Sequence, residues 1–351
     1  MQKQTSGINK TKLNMKLAIH HRERSFSDHW IDYCKKENID YLLVNSYSND
    51  ILEVIKNNEI THFMWHFSHE SSGDLMLYPY LFNSLELMGI KTFPNFNSRW
   101  HFENKVAQKY LFESIGAPIP KNYVFYDEDE AIRFLEQYDL PIVAKLKRGA
   151  ASINVKLITN VDDGVKYVKK LFSEGIPSRG NALGNLDFKI RIAKRIKNIR
   201  QLFIKVIGFL KKNKKERLLS PPEKGYAYFQ EFMPKNDFDT RIVVVNDRAF
   251  GFRRINREND FRASGSGKFN FKEMDLKVVS LAFELHKKIG AQCLSFDFVY
   301  NKNKEPVVIE ISYEYGLPFN YNCEGFWDEK LNFFAEKFIP QYYIVENFIK
   351  E

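Results

Sequence analysis

Two carboxylates late in the chain stand where a carboxylate is costly. Asp297 lies in CLSFDFVY (293–300) and Glu310 in PVVIEIS (306–312), each flanked by apolar residues and joined through the turn NKNKE. An ionised carboxylate in such surroundings needs a cation to offset its lost hydration. Two of them on neighbouring strands, facing one side, can hold Mg²⁺ between phosphate oxygens. A salt bridge to a core arginine is the alternative for either acid. Phosphates also call for fixed cations, and Lys105, Lys145, Arg241, Arg254 and Arg262 lie where a solvated charge is not needed. Lys145 is the sharpest case. It is an ammonium inside the apolar run IVAKL, hence paired or functional. Arg241 alternates with Ile242 and Val244, so a solvent-facing reading stays open for it.

Stepping outward, residues 16–93 alternate short apolar runs (LAIH, DYLLVN, THFMWHF) with helical patterns near 27–37, 50–57 and 75–88. That alternation predicts a small parallel sheet, whose ligands sit beyond the carboxyl ends of the strands. His20, His21 and Arg22 follow the first of these strands, and His66 and His69 the third. Residues 103–115 read as a helix stopped by Gly116, Pro118 and Pro120. A strand at 141–146, the loop KRGAAS and a strand at 155–158 form a hairpin-like cover, and a helix starts near Asn160. Further strands are predicted at 226–232, 239–245 and 248–255, with Asn246–Asp247 as the turn between the last two. The loop 259–269, a helix over 272–289 and the two acid-bearing strands follow. A final amphipathic helix is expected near 329–349.

At 351 residues the chain exceeds the usual span of one core, so two or three subdomains are expected. Its 44% hydrophobic and 28% charged residues are those of a globular protein. Cys34, Cys293 and Cys323 show no CxxC spacing and read as reduced thiols of a cytoplasmic protein. Nothing approaches a membrane-spanning stretch, and residues 1–14 form a polar, disordered leader without an export core. Of the net charge of +9, residues 179–224 carry 14 Lys/Arg against three acids, or +11, leaving the rest at −2. Basicity confined to one segment argues against a nucleic-acid partner.

Taken in order, ENKVAQKYLFESIGAPIPKNY, PIVAKLKRGAASINVKLI, YFQEFMPKNDFDTRIVVVNDRAFGFRRINRENDFRASGSG, LSFDFVY and VVIEISYEYG resemble the ATP-grasp superfamily. The likeness is to the branch of ribosomal-protein glutamate ligases and glutathione synthase-like enzymes, over roughly 105–318. It implies an α/β protein with the ATP-grasp fold, two α+β subdomains gripping ATP, preceded by a small parallel-sheet pre-grasp domain. The expected boundaries are a Rossmann-like pre-grasp domain at 15–100 and an N-terminal grasp subdomain at 101–232, with the basic helical insertion 179–224. A C-terminal subdomain with the metal site then spans 233–351. By resemblance, Lys105 and Lys145 contact nucleotide phosphates, and Gln230, Glu231 and Phe232 form the hinge that reads adenine. Asp239 precedes the phosphate-supporting Arg241, while Arg254 and Arg262 match the ligase spacing. Arg262 would steady the transferring phosphoryl group and the oxyanion. The implied activity is an ATP-dependent carboxylate–amine ligase working through an acyl phosphate.

Two departures stand out. Only Gly149 represents the family's Gly-rich loop, leaving Ser152 and loop amides to cover phosphates. Ser312 stands where the family's Glu-x-Asn has its amide, so one Mg²⁺ at Asp297 and Glu310 is implied and a second is left open.

Within 186–212, apolar residues recur at 192, 196, 199, 203, 206 and 210, with Lys and Arg on the other faces. A solvated lid, a homodimer helix and a helix lying on the anionic inner face of a membrane all fit this pattern. The insert and the KLKRGAASINV segment also resemble ATP-grasp proteins of bacterial surface-polysaccharide synthesis. That likeness implies a sugar-acid or glycan carboxylate joined to an amino acid or small amine. A ligase for peptide or protein termini, or a nucleotide-binding regulator that does not ligate, would share the same nucleotide residues. His20, His21, Arg22 and His66 are candidates to recognise the substrate carboxylate. A zinc site from His62, His66, His69 and Glu70 is disfavoured, because His69 falls in the loop and no cysteine is near.

Overall fold

The computed structural model describes residues 15–149, 154–178, 221–258, 260–263, 266–316, 323–337 and 339–351. The leader, Ser152 and the stretch proposed to lie on membranes fall outside these residues.

Among the described residues, the first sheet contains β1 (Leu17–His20), β2 (Tyr41–Val44), β3 (His62–Trp65) and β4 (Lys91–Phe93). Its order is β2-β1-β3-β4, with parallel pairing throughout. The strands are joined by α1 (Phe26–Lys36), α2 (Ile51–Asn57) and α3 (Ser72–Leu87). Side-chain caps start α1 and α3: Ser25 accepts from the Ser27 amide and Ser71 from the Asp74 amide. After the short α4 (Phe96–Arg99), α5 (Lys105–Ser114) begins at the Asn104 cap and ends before Gly116.

A second, antiparallel sheet follows the order β5-β8-β6-β7. It is built from β5 (Asn122–Phe125), β6 (Ile142–Lys145), β7 (Lys156–Ile158) and β8 (Ala227–Glu231). α6 (Glu128–Gln137) and α7 (Val161–Phe172) pack on it through a core of its own that includes Leu135, Val168, Leu171 and Phe229.

The largest sheet is antiparallel, with the order β13-β12-β9-β10-β14-β15 and β11 (Phe269–Asn270) paired to β10. Its long strands are β9 (Phe238–Val245), β10 (Arg248–Ile255), β12 (Cys293–Tyr300) and β13 (Pro306–Ser312). Ile242, Val244, Phe296 and Phe298 share a core with Val278, Val279 and Ala282 of α8 (Leu276–Ile289). On the other face Val243, Val245, Phe250 and Phe252 pack with residues of β1, α1 and α9 (Pro340–Phe348). Gly251 permits this sheet to close: a Cβ there would lie 2.5 Å from the Arg241 carbonyl oxygen.

The expected helix over 329–349 is corrected. β14 (Phe326–Asp328) and β15 (Phe333–Phe334) form a hairpin there, and helix begins only at Pro340. Phe333 and Phe334 supplied apolar positions that mimic a helical stripe. In the hairpin Phe334 instead stacks on Phe326. Cys34, Cys293 and Cys323 are free and buried. Among the described residues, no helix is long and apolar enough to cross a membrane.

Candidate functional site

Strand register collects the charged residues. Asp239 and Arg241 are two apart on β9 and so share a face. Asp239 pairs across to Arg254 on β10, and Arg241 pairs across to Asp297 on β12. Asp297 in turn faces Glu310 on β13. Five ionisable groups therefore line one end of the face whose other end carries Val243, Val245, Phe250 and Phe252.

Every one of these charges is paired. Arg241 grips both Asp297 oxygens, Nε to Oδ1 at 2.6 Å and Nη2 to Oδ2 at 2.7 Å. Arg254 does the same to Asp239 at 2.6 and 2.7 Å and also reaches Asp297 Oδ2 at 2.6 Å. Burial alone would raise the Asp297 carboxyl, but Arg241 and Arg254 outweigh it and hold it well below the usual carboxylate range. For Asp239 burial wins, and its carboxyl is pushed up despite Arg254. Asp297 thus makes arginine salt bridges, and Arg241 is half-buried against it instead of solvent-facing.

Two lysines approach from the other elements. Lys105 is the first residue of α5, where the helix dipole disfavours a cation. Its Nζ donates to Glu310 Oε1 at 2.7 Å and to the Gly149 carbonyl at 3.0 Å. Burial opposes its charge, but Glu310 and Glu103 overcome this and raise its pKa. Lys145 ends β6 and donates to Gln230 Oε1 at 2.6 Å. Gln230 is fixed in turn by donating to Asn122 Oδ1 at 2.9 Å, which also accepts from the Tyr228 hydroxyl. A neutral amide is a weak partner for a buried ammonium, and burial lowers the Lys145 pKa to about 8.

These groups open onto one cleft, lined among others by Lys105, Lys145, Phe232, Arg254, Arg262 and Glu310. One wall is apolar and aromatic: Phe232, just past β8, meets Phe261 edge-on at 5.5 Å. Glu231 and Met233 line the same wall. At the mouth Arg262 pairs with Asp260, whose Oδ2 accepts from Nη2 at 2.7 Å. Of the expected residues, Lys105, Lys145, Gln230, Glu231, Phe232, Asp239, Arg254, Arg262, Asp297 and Glu310 line this cleft, Arg241 joins them through Asp297, Ser312 is not among the lining residues, and Ser152 lies outside the described residues. Among the lining residues four cations (Lys105, Lys145, Arg254, Arg262) meet four carboxylates (Glu231, Asp239, Asp297, Glu310).

The donor set suits a hard cation. Asp297 and Glu310 are register partners, and the Ser312 hydroxyl lies two residues on along the same strand face. A cation taking these oxygens would displace the arginines and Lys105 onto the anion beside them. Among the described residues, no group of three or more His, Cys, Asp and Glu is arranged to hold a metal, so the zinc reading of His62, His66 and His69 gains nothing.

A second polar cluster lies at the carboxyl ends of β1 and β3, where the sequence placed a substrate carboxylate. His20 is half-buried and His66 buried, and burial lowers both to a pKa of about 4, leaving them neutral. His20 accepts from the Ser46 amide at 2.9 Å, and His66 from the Phe26 amide at 3.3 Å. His21 makes a local contact with Ser27. Arg22 stays partly exposed above buried Asp74, 3.3 Å away. Two acids that carry this cluster were not singled out from the sequence, Glu314 and Asp74. Glu314 accepts from the His69 amide at 2.9 Å and pairs with its Nδ1 at 2.6 Å. Burial alone would lower the His69 pKa, but Glu314 raises it to about 9, so the ring is a cation. Both acids had a visible signal, a carboxylate in an aromatic or polar loop four residues beyond Glu310 or at the start of α3.

No protein-family model matches the chain. It is 24% identical over 220 residues to the alpha-aminoadipate–LysW ligase LysX of Saccharolobus solfataricus. The match spans 62% of the length of that curated relative and 62% of this chain. Among solved structures, the biotin carboxylase domain of Hydrogenobacter thermophilus 2-oxoglutarate carboxylase, in complex with MgADP, superposes with a TM-score of 0.56 at 12% identity. It covers 94% of this chain and 68% of that one. The ATP-grasp ligase PsnB, complexed with precursor peptide PsnA2 and AMPPNP, gives 0.51 at 10% identity over 96% and 98% of the two chains. D-alanine–D-alanine ligase from Bacillus anthracis, complexed with ATP, gives 0.50 at 12% identity over 86% and 87%. The chain has the ATP-grasp fold.

Proposed function

We propose that the protein is an ATP-dependent carboxylate–amine ligase. The observation that carries this reading is the row Asp239–Arg254–Asp297–Arg241–Glu310, facing Lys105 and Lys145 across a cleft with an aromatic wall. It offers fixed cations, an oxygen donor pair and an apolar aromatic wall together, as a magnesium nucleotide requires.

In this reading Glu231, Phe232 and Met233 border the base, and Lys145 and Lys105 hold phosphate oxygens. Asp297, Glu310 and Ser312 would hold Mg²⁺, which supplies neutralisation of phosphate charge. Arg241 and Arg254, which flank Asp297, would add positive charge beside the phosphates. A substrate carboxylate oxygen attacks the γ-phosphorus, the bond to the β,γ-bridging oxygen breaks, and ADP departs with that electron pair. An amine nitrogen then attacks the acyl carbon, the carbon–oxygen bond to phosphate breaks, and the nitrogen sheds its proton to the departing phosphate or solvent. Arg262, at the mouth, is placed to steady the oxyanion. Positioning and charge carry the chemistry, with little side-chain proton transfer.

For the acyl donor we read the carboxylate as meeting Arg22 and His69, the half-buried cations of the second cluster, instead of the neutral His20 and His66. The names of the relatives involve amino acids and polypeptides, which supports an amino acid, peptide or protein carboxylate. A sugar acid of a surface polysaccharide is the second reading, supported by the resemblance of the +11 insertion and the KLKRGAASINV segment and by none of the comparisons. The test is ADP release from ATP with panels of amino acids, peptides and uronic acids against amines, with mass spectrometry of the product. Amide formed with ADP in equal amounts supports the ligase, and the productive panel names the acid. ATP binding with no turnover on any pair would favour a nucleotide-binding regulator.

A further inference from the structure

β13 carries Glu310, and among the described residues it is the outermost strand of the largest sheet. Its outer edge is closed at Ile311, the residue after Glu310. The Gln108 side chain of α5 pairs with both main-chain groups there: Nε2 donates to the Ile311 carbonyl at 2.9 Å, and Oε1 accepts from the Ile311 amide at 3.2 Å. One side-chain amide thus takes the place of a neighbouring strand. The same Nε2 also donates to the His101 carbonyl at 3.3 Å. Lys105, three residues earlier on the same helix face, donates to the Glu310 carboxylate. α5 therefore holds two consecutive residues of β13, Glu310 by its side chain and Ile311 by its backbone.

The strand is irregular just before this point. Asp297 pairs with Glu310 and Phe298 with Val308, so Ile309 has no partner on β12. Such a bulge bends its strand and re-aims the side chains beside it, and Ile309 and Glu310 both line the cleft. The bulge is fastened on each side from outside the sheet. Before it, the Val308 amide donates to the Pro118 carbonyl at 2.9 Å; after it stands Gln108. Gln108 is only 3% exposed, and burying a primary amide is costly unless its groups are paired. An apolar side chain of that length would fill the space but leave the Ile311 amide and carbonyl unpaired.

We propose that Gln108 is a positioning residue for the cation-binding pair, fixing the bulged end of β13 so that Glu310 stands opposite Asp297. The proposal rests on the magnesium nucleotide reading above and extends it to a residue that is not part of the cleft lining. Lys105 holds the Glu310 carboxylate directly and competes with a cation for it. Gln108 grips the backbone instead, so its hydrogen bonds persist whichever partner that carboxylate takes.

The experiment measures ATP binding by calorimetry for the unaltered chain and for Gln108→Met and Gln108→Glu, each with Mg²⁺ and with EDTA in its place. Gln108→Met keeps the length of the side chain and removes both hydrogen bonds to Ile311. It is expected to weaken binding about tenfold with Mg²⁺ while leaving binding in EDTA within about twofold. Gln108→Glu keeps an acceptor for the Ile311 amide but sets a carboxylate against the Ile311 carbonyl. A smaller loss, again confined to the Mg²⁺ arm, is expected for it. If both arms weaken in parallel, or neither changes, Gln108 only covers a strand edge and the proposal falls. If Gln108→Met does not fold, Gln108→Glu decides by the same criterion. Absence of ATP binding by the unaltered chain would instead overturn the nucleotide reading. Equal binding by that chain with and without Mg²⁺ would overturn the metal reading, and the proposal with it.

Discussion

Lys145 has a neutral partner in a buried place, and that sets a measurable sign. The unfolded chain keeps this ammonium up to about pH 10.5, the folded protein only to about pH 8. Between those limits the unfolded state binds more protons, so folding stability contributed by this site rises with pH. Relative to Lys145→Met, the native protein is expected to gain up to about 3 kcal/mol between pH 8 and 10.5, read from urea midpoints. Phosphate beside the ammonium favours its charged form, so ATP binding near pH 8 is expected to take up protons, measurable by calorimetry in buffers of different ionisation enthalpy. Arg22 gives a second residue-scale prediction. Arg22→Ala is expected to raise KM for the acid at least about tenfold, roughly 1.4 kcal/mol, with KM for ATP unchanged. A change in both would place Arg22 in the structural framework instead. The lysines and arginines were legible from charge in apolar strands. What each one touches was not, because Asp297 meets Arg241 only through a cross-strand register that no local pattern encodes.

At the scale of elements, β10, β12 and β13 begin and end where alternation in the sequence placed them, since both faces of each are committed to packing or to the site. Elements with less to bury were missed, including β4, β5 and α6. The hairpin of β14 and β15 was misread because two phenylalanines in sequence mimic either period. Gly251 offers the element-scale test. Its neighbour across β9 leaves no space for a methyl group, so Gly251→Ala must push β9 and β10 apart beside Arg241. A loss of about 1–3 kcal/mol in denaturant unfolding is expected, with weakened ATP binding. Full stability with intact binding would show that the two strands can separate freely there.

At the scale of the whole molecule, the parallel sheet is tied to the largest sheet by Glu314, which leaves β13 just beyond Glu310 and anchors the loop after β3 through Ser68 and His69. The polar cluster at the ends of β1 and β3 and the cleft beside Glu310 are therefore not independent bodies. Across the molecule, positive charge is concentrated in the insertion, and the remainder is slightly acidic. Long-range attraction for a nucleotide is then weak near the cleft, and recognition depends on contacts made within it.

The pairing of Arg241 and Arg254 with Asp297 gives the cleft its own resident counterions. An incoming triphosphate does not have to strip small ions from bare guanidiniums; it exchanges with a carboxylate that moves no further than a metal ion can follow. Affinity governed by such an exchange depends on partner geometry more than on the ionic atmosphere. The Kd for magnesium ATP is accordingly expected to change less than about threefold between 0.05 and 0.3 M KCl. In Asp297→Asn, which leaves the arginines without that counterion, titration calorimetry is expected to find a visibly steeper dependence on salt.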